Sequence, residues 1–83
     1  MLVRYFGAAQ AAAGTAEEQL DCDGATLDDV VAVLQQKYGA APAAMGKVLA
    51  RSSFLLNEVA LRDRKRTLAS SDVLDILPPF AGG

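Results

Sequence analysis

The reactive group that stands out in this sequence is the carboxylate at its C-terminal end. The last six residues, 78 to 83, have the sequence Pro-Pro-Phe-Ala-Gly-Gly. Glycine makes up about 7% of average proteins, so a Gly-Gly end arises by chance in roughly one chain in 200. The carboxylate of Gly83 is ionised at neutral pH, because the ordinary pKa of such a group is about 3.3–3.7. It is therefore a poor electrophile until another protein activates it.

The residue types at this end favour delivery of the carboxylate into a partner protein. Pro78 and Pro79 have a fixed φ and favour an extended backbone, so the segment should leave the preceding strand stiffly. Extended residues span about 3.3–3.6 Å each, which gives a reach of up to about 20 Å. The final Ala-Gly-Gly has almost no side chain and can pass through a narrow channel. We therefore predict a domain over residues 1–77 and a flexible tail over residues 78–83 that enters partner active sites.

Two other features could take part in chemistry or binding. Cys22 could accept or relay sulfur, but free cysteine is often buried, so we expect a partly buried structural residue. Residues 62–66, with the sequence Arg-Asp-Arg-Lys-Arg, could contact RNA or dock an acidic partner through complementary charge. A charge run is usually a solvated connection, and Asp63 interrupts this one, so docking is the alternative interpretation.

Composition excludes several classes of function. A chain of 83 residues has room for one domain. Its formal net charge of −2 argues against a general nucleic-acid binder. The absence of histidine and the single cysteine leave little for a zinc site or for ordinary general-base catalysis. No apolar run approaches the roughly 18 residues that span a bilayer, and one cysteine fits a reducing compartment, so we expect a cytoplasmic domain.

The first part of the sequence predicts two strands separated by a short helix. Leu2–Phe6 is rich in large apolar residues and predicts a strand. The alanine-rich residues 8–13 predict a helical turn or two that stops at Gly14. Residues 17–22 predict a second strand that pairs with the first.

The clearest helix begins after Thr26. Thr26 and Asp29 have the spacing of a capping box, and Gly39 follows the last helical residue. Five apolar or aromatic residues recur at helical spacing and predict one buried stripe. They are Leu27, Val30, Val31, Leu34 and Tyr38.

The remaining segments alternate between strands and turns. A second, short helix is predicted from Pro42 to about Leu49. Strands are predicted over residues 54–56 and 59–61, around an Asn57-Glu58 turn, and over residues 73–77.

These elements predict an α+β fold in which one main helix covers a mixed sheet of four to five strands. Phe54 and Leu56 share one strand face and should be buried under that helix, with an exposed docking patch as the alternative. The element order suits a β-grasp fold. It equally suits a ferredoxin-like fold without its last element.

Several motifs resemble one family in particular. Residues 73–83 resemble the last strand and Pro-Pro-x-x-Gly-Gly end of the molybdopterin synthase small subunit, a ubiquitin-like β-grasp sulfur carrier. The Asn57-Glu58 turn, Leu68 and the Ser71-Asp72 turn before that strand are similar to the family pattern, as are the opening residues 3–9 and the start of the main helix. The sequence departs from the family at Glu58 and Ser71, where glycine is common.

The resemblance implies that this chain is not catalytic alone and holds no cofactor or metal itself. An activating enzyme would use ATP and magnesium to adenylate Gly83. A persulfide from a donor such as a cysteine desulfurase or rhodanese would displace AMP and leave a thiocarboxylate. Within a heterotetramer, the large subunit would bind the tail and transfer the sulfur to a pterin precursor of the molybdenum cofactor. Gly82 would allow the tail to pass, and the partner interface would comprise Pro78, Pro79, Phe80 and Ala81.

Three other functions remain open at this stage. The chain could carry sulfur for thiazole, cysteine or tRNA thiolation, with the same activation chemistry. It could be a ubiquitin-like modifier whose Gly83 is joined to target lysines. It could also be a β-grasp interaction domain whose Gly-Gly end is incidental.

Overall fold

The computed structural model describes residues 1–39 and 45–79. Within them, five strands form one sheet: β1 (Leu2–Tyr5), β2 (Glu17–Gln19), β3 (Ser53–Leu56), β4 (Val59–Ala60) and β5 (Val73–Leu77). The helices are α1 (Gly7–Ala13), α2 (Leu27–Tyr38) and α3 (Met45–Arg51). None of these helices has the length and apolar character needed to cross a membrane.

The sheet has the strand order β2-β1-β5-β3-β4. Strands β1 and β5 are parallel neighbours at its centre, whereas β2, β3 and β4 pair antiparallel with their neighbours. The last strand thus inserts between the first strand and β3. This order confirms the β-grasp prediction and decides against the ferredoxin-like alternative.

The capping residues predicted for α2 and α1 are found at the ends of these helices. The Thr26 hydroxyl accepts from the Asp29 backbone N–H at 3.2 Å, and an Asp29 carboxylate oxygen accepts from the Thr26 N–H at 3.0 Å. This reciprocal pair confirms the capping box. Helix α1 ends at Gly14, whose φ of 76° is a left-handed conformation that glycine adopts without a Cβ clash.

One face of the sheet packs against α2 and forms the core. Four residues of the predicted helical stripe are buried and Tyr38 is half-buried. Phe54 and Leu56 are each only 6% exposed, which confirms burial on this face, and Leu68 is buried as well. The buried sheet residues that complete the core are Val3, Tyr5, Leu74 and Ile76.

Two predicted boundaries move by two residues or more, and those of β1, α1, β3 and β4 move by one residue. Strand β2 ends at Gln19 and not at the predicted Cys22, and beyond it the Leu20 N–H makes one more bond, to the Met1 carbonyl at 2.8 Å. Helix α3 continues two residues past the predicted Leu49, to Arg51, and the Ser52 hydroxyl then bonds the Val48 carbonyl at 2.7 Å. The predicted start of this helix at Pro42 lies outside the described residues.

Candidate functional site at the base of the tail

The end of β5 is where the chain leaves the sheet. Leu77 pairs with Ser53 of β3, and the Ile76 carbonyl accepts from the Phe6 N–H at 3.2 Å on the β1 side. Pro78 and Pro79 then follow, and proline has no N–H with which to continue the ladder. The segment Leu77–Pro79, here called the tail base, is therefore the point at which sheet pairing stops.

The middle of β5 is held by an ion pair on the sheet face away from α2. Arg4 of β1 lies in register with Asp75, and its Nε and Nη2 donate to the two carboxylate oxygens at 2.5 and 2.9 Å. The Asp75 side chain is 7% exposed, because the Arg4 side chain covers it. The hydrogen bond that Arg4 donates to Asp75 raises the pKa of Arg4.

The start of β5 is tied to the Asn57-Glu58 turn. Asn57 donates through Nδ2 to an Asp72 carboxylate oxygen at 3.0 Å, and its Oδ1 accepts from the Val73 N–H at 2.9 Å. The backbone N–H of Ala69 and then the Asn57 amide lower the pKa of Asp72. Strand β5 is thus anchored before the tail base, so the origin of the tail has a defined position and direction.

A groove of about 600 Å³ lies beside the tail base, between α1 and α3. Helix α1 starts just after β1 ends, and α3 ends just before β3 begins. Both helices therefore reach the end of the sheet at which β5 finishes. The apolar residues that line the groove are Ala8, Val48, Ala50, Pro78 and Pro79. Its two cationic residues are Lys47 and Arg51, both exposed.

The residues predicted to act at the tail fall on both sides of the described boundary. Pro78 is half-buried and Pro79 is exposed, and both line the groove. Phe80, Ala81, Gly82 and Gly83 lie outside the described residues. The assignment of these six residues to the tail site therefore stays a prediction.

Cys22 lies away from the tail base. It is half-buried against the core, as expected, in the connection between β2 and α2. Since β2 runs antiparallel to β1, Cys22 follows the end of the sheet where β1 begins. Since β5 runs parallel to β1, the tail base follows the end where β1 finishes. Cys22 and the tail base thus lie at opposite ends of the strands.

The charged segment 62–66 packs partly against the start of α2. Arg64 bonds Asp28 at 2.5 Å, and Lys65 lies 3.1 Å from the same carboxylate. These contacts lower the pKa of Asp28, with the Arg64 hydrogen bond as the largest cause. All five residues are exposed, which agrees with a solvated connection.

The described residues at this site form an anchored strand and an adjoining groove. Among residues 1–39 and 45–79, no group of three or more His, Cys, Asp or Glu side chains is placed to hold a metal ion. What the described residues supply is a rigid origin for the tail and a groove against which a second protein can rest.

Sequence reasoning missed the groove cations and a polar cluster around Glu18. Lys47 and Arg51 are four residues apart on a predicted helix, a usable signal, but only the placement of α3 beside β5 puts them at the tail base. Glu18 accepts from the Tyr5 hydroxyl, from the Tyr38 hydroxyl at 2.6 Å and from the Lys37 ammonium at 2.6 Å. No spacing rule indicates that cluster, because it joins β1, β2 and α2.

Comparison with known families gives one match over almost the whole chain. A model described as the ThiS family matches residues 3–83. No curated protein matches the sequence.

Solved structures extend the comparison. The solution structure of the small archaeal modifier protein 1 from Methanosarcina acetivorans is 27% identical with a TM-score of 0.79, over 99% of this chain and 94% of that one. The complex of subunits 1 and 2 of the molybdopterin-converting factor from Helicobacter pylori is 26% identical with a TM-score of 0.70, over 99% and 96%. The crystal structure of the Haloferax volcanii small archaeal modifier protein 1 is 25% identical with a TM-score of 0.68, over 100% and 98%.

Proposed function

The chain belongs to the ThiS family, with the ubiquitin-like fold of sulfur carriers and modifiers, and we propose that it is the sulfur-carrier subunit of a molybdopterin synthase. In this role the tail carries sulfur on Gly83 as a thiocarboxylate. The large subunit receives the tail and transfers the sulfur to a pterin precursor of the molybdenum cofactor. The chain works in the cytoplasm, together with its ATP-dependent partner.

Activation of Gly83 is the chemistry that the tail requires. An activating enzyme with ATP and magnesium joins the terminal carboxylate to AMP. AMP is a good leaving group, so the outer sulfur of a donor persulfide displaces it and forms an acyl disulfide. A second thiol then attacks the donor sulfur of that S–S bond, which releases the thiocarboxylate and leaves the donor in a disulfide. ATP, magnesium and the catalytic side chains belong to the enzyme, and this chain contributes the carboxylate and its presentation.

The observation that carries the proposal is the construction of β5 and the tail base. The central strand is held by the Arg4–Asp75 pair and by the Asn57–Asp72 contact, and two prolines end its pairing at once. A strand fixed in this way gives the tail a defined starting point, which supports delivery of its carboxylate to a partner.

A large synthase subunit and a heterotetramer are the assembly that we propose. The Helicobacter pylori complex supports this choice, because it pairs subunits 1 and 2 of the molybdopterin-converting factor and is similar over 99% of this chain. A cysteine desulfurase or rhodanese supplies the sulfur.

A ubiquitin-like modifier is the second candidate. The likeness to the small archaeal modifier protein 1 of Methanosarcina acetivorans, at 27% identity, favours it. In that role Gly83 forms an amide with target lysines. Carriers for thiazole, cysteine or tRNA thiolation share the first chemical steps of the carrier proposal and differ in the acceptor.

Intact mass spectrometry tests the carrier function. The purified chain is incubated with ATP, magnesium, the activating enzyme of the same organism and a sulfur donor. We expect the mass change of one oxygen replaced by one sulfur, and no change for the chain lacking Gly83. An unchanged mass, with the enzyme active on another carrier, would refute the proposal. Chain-sized adducts on other proteins that survive denaturation and reduction would favour the modifier instead.

A further inference from the structure

The groove beside the tail base combines an apolar floor with two cations. Lys47 and Arg51 lie one helical turn apart on α3 and are both exposed. Neither takes part in the ion pairs that form within residues 1–39 and 45–79. A segment that presents carboxylates together with an apolar side chain would complement both parts of the groove.

The charge of the groove is local. The formal net charge of the chain is −2, so the molecule as a whole does not attract an acidic partner. Four of its eight cationic side chains are paired with carboxylates: Arg4, Lys37, Arg64 and Lys65. The other four are Arg62 and Arg66 in the charged segment and Lys47 and Arg51 in the groove. Lys47 and Arg51 line the groove together with Pro78 and Pro79, so an acidic surface held by them also orients the tail base.

The groove lies close to any active site that encloses Gly83. Pro78 and Pro79 form part of its lining, and four residues follow Pro79. At 3.3–3.6 Å per residue, Gly83 is at most about 14 Å beyond Pro79. A protein that encloses Gly83 in an active site must therefore bring its surface close to the groove.

We infer that the groove docks an acidic segment of the activating enzyme and so positions the tail for adenylation. The inference rests on the proposed function. The last residues of the tail offer few side-chain contacts, so the folded domain has to supply the orientation. The activating enzyme is the occupant that we choose because every later sulfur step needs the adenylate that it forms.

The test measures adenylation kinetics with the purified activating enzyme of the same organism. Pyrophosphate exchange gives KM and kcat for the wild-type chain and for the double variant Lys47→Glu/Arg51→Glu. We expect KM to rise roughly tenfold or more with kcat little changed, because the altered charges weaken docking and not the reaction. The neutral variant Lys47→Gln/Arg51→Gln should show a smaller rise and should abolish most of the salt dependence of the wild-type KM.

A matched charge reversal elsewhere provides the control. Lys65→Glu/Arg66→Glu changes the net charge equally, and Lys65 already faces Asp28 at the start of α2, away from the groove. We expect the KM of this variant for adenylation to change by less than about twofold. Wild-type KM in the groove variant, or an equal rise in the control, would overturn the docking inference while adenylation of the wild-type chain stands. Failure of the wild-type chain to be adenylated would remove the proposed function, and this inference with it.

Discussion

Arg4 and Asp75 lie side by side in register on the parallel strands β1 and β5, although they are 71 residues apart in sequence. Two hydrogen bonds of 2.5 and 2.9 Å join the guanidinium to the carboxylate. Asp75 is the buried charged residue among those that the structure describes. This pair closes the centre of the sheet on the face that α2 leaves uncovered, directly before the tail base.

Replacement of Arg4 by glutamine should destabilise the domain more than its half-buried position suggests. The change leaves the Asp75 carboxylate, 7% exposed, without its bidentate partner, and an uncompensated buried charge is costly. We expect Tm to fall by about 10 °C. Thermal unfolding followed by circular dichroism measures the shift.

Asp75→Leu is the control, because it removes the buried partner of the pair and leaves the more exposed one. The Arg4 side chain is 34% exposed and can turn to solvent when the carboxylate is gone, so the fall in Tm should be clearly smaller than for Arg4→Gln. Equal shifts in Tm for the two variants would show that the burial of Asp75 is not the cause.

The elements that local sequence rules describe could be predicted from the sequence. The capping box at Thr26 and Asp29 depends on residues three apart, and the final strand Val73–Leu77 has the predicted bounds. The Asn57-Glu58 turn is likewise where the sequence indicates it. These features follow from hydrogen bonds and side-chain spacing within a few residues of the chain.

Features that depend on distant segments could not be predicted. The strand order places β5 beside β1, and only then do Arg4 and Asp75 meet. The same holds for the groove, where Lys47 of α3 comes to lie beside Pro79 of the tail base. Opposite charges on two predicted strands permit many pairings, and spacing alone does not choose among them.

Glu18 should make the stability of the domain sensitive to acid. Burial raises the pKa of Glu18, but hydrogen bonds from Lys37 and two tyrosines outweigh it and leave the pKa lowered. Because the folded pKa is below the unfolded one, this carboxylate stabilises the fold above its unfolded pKa and the contribution is lost as the pH falls.

Glu18→Gln therefore should lower the free energy of unfolding by about 1–2 kcal/mol at neutral pH. The difference from wild type should shrink as the pH falls below the ordinary glutamate pKa of about 4.3, because protonation of the wild-type carboxylate makes the two side chains alike. Urea unfolding at pH 7 and at acid pH measures both values. A difference that is the same at the two pH values would exclude an ionised Glu18 as its origin.

Glu58 occupies a backbone conformation that suits glycine. Its φ is 70°, next to Asn57 at 50°, so both central residues of the β3–β4 turn are left-handed. Such a turn strongly prefers Asn-Gly, and a side chain other than asparagine or glycine is strained at the second position. Glu58→Gly should raise the free energy of unfolding by about 1 kcal/mol, a Tm increase of about 4–8 °C. Glu58→Ala removes the same charge but keeps a Cβ, so it should not raise the free energy of unfolding comparably. An increase as large as that of the glycine variant would show that the charge of Glu58, and not backbone strain, is the cause.

Cys22→Ala should leave sulfur loading of the tail unchanged. Cys22 lies beyond the end of the sheet where β1 begins, and the tail base lies at the opposite end, where β1 finishes. The half-buried side chain packs against the core, so we expect a small loss of stability, about 1 kcal/mol, with full thiocarboxylate formation. Intact mass after loading measures the outcome, and loss of the sulfur-bearing species in a folded variant would restore Cys22 as a sulfur relay.

Gly82→Val should strongly slow the proposed adenylation of Gly83 without weakening the docking of the domain. A branched side chain beside the reacting carboxylate restricts φ and ψ and widens the chain where a narrow channel has to admit it. We expect kcat/KM for adenylation to fall by about 100-fold, because small displacements at a reacting centre cost rate steeply. The variant should still compete with the wild-type chain for the activating enzyme, since Lys47 and Arg51 are intact. Adenylation at the wild-type rate would show that the enzyme does not enclose the tail tightly, whereas loss of competition would place the binding energy in the tail itself.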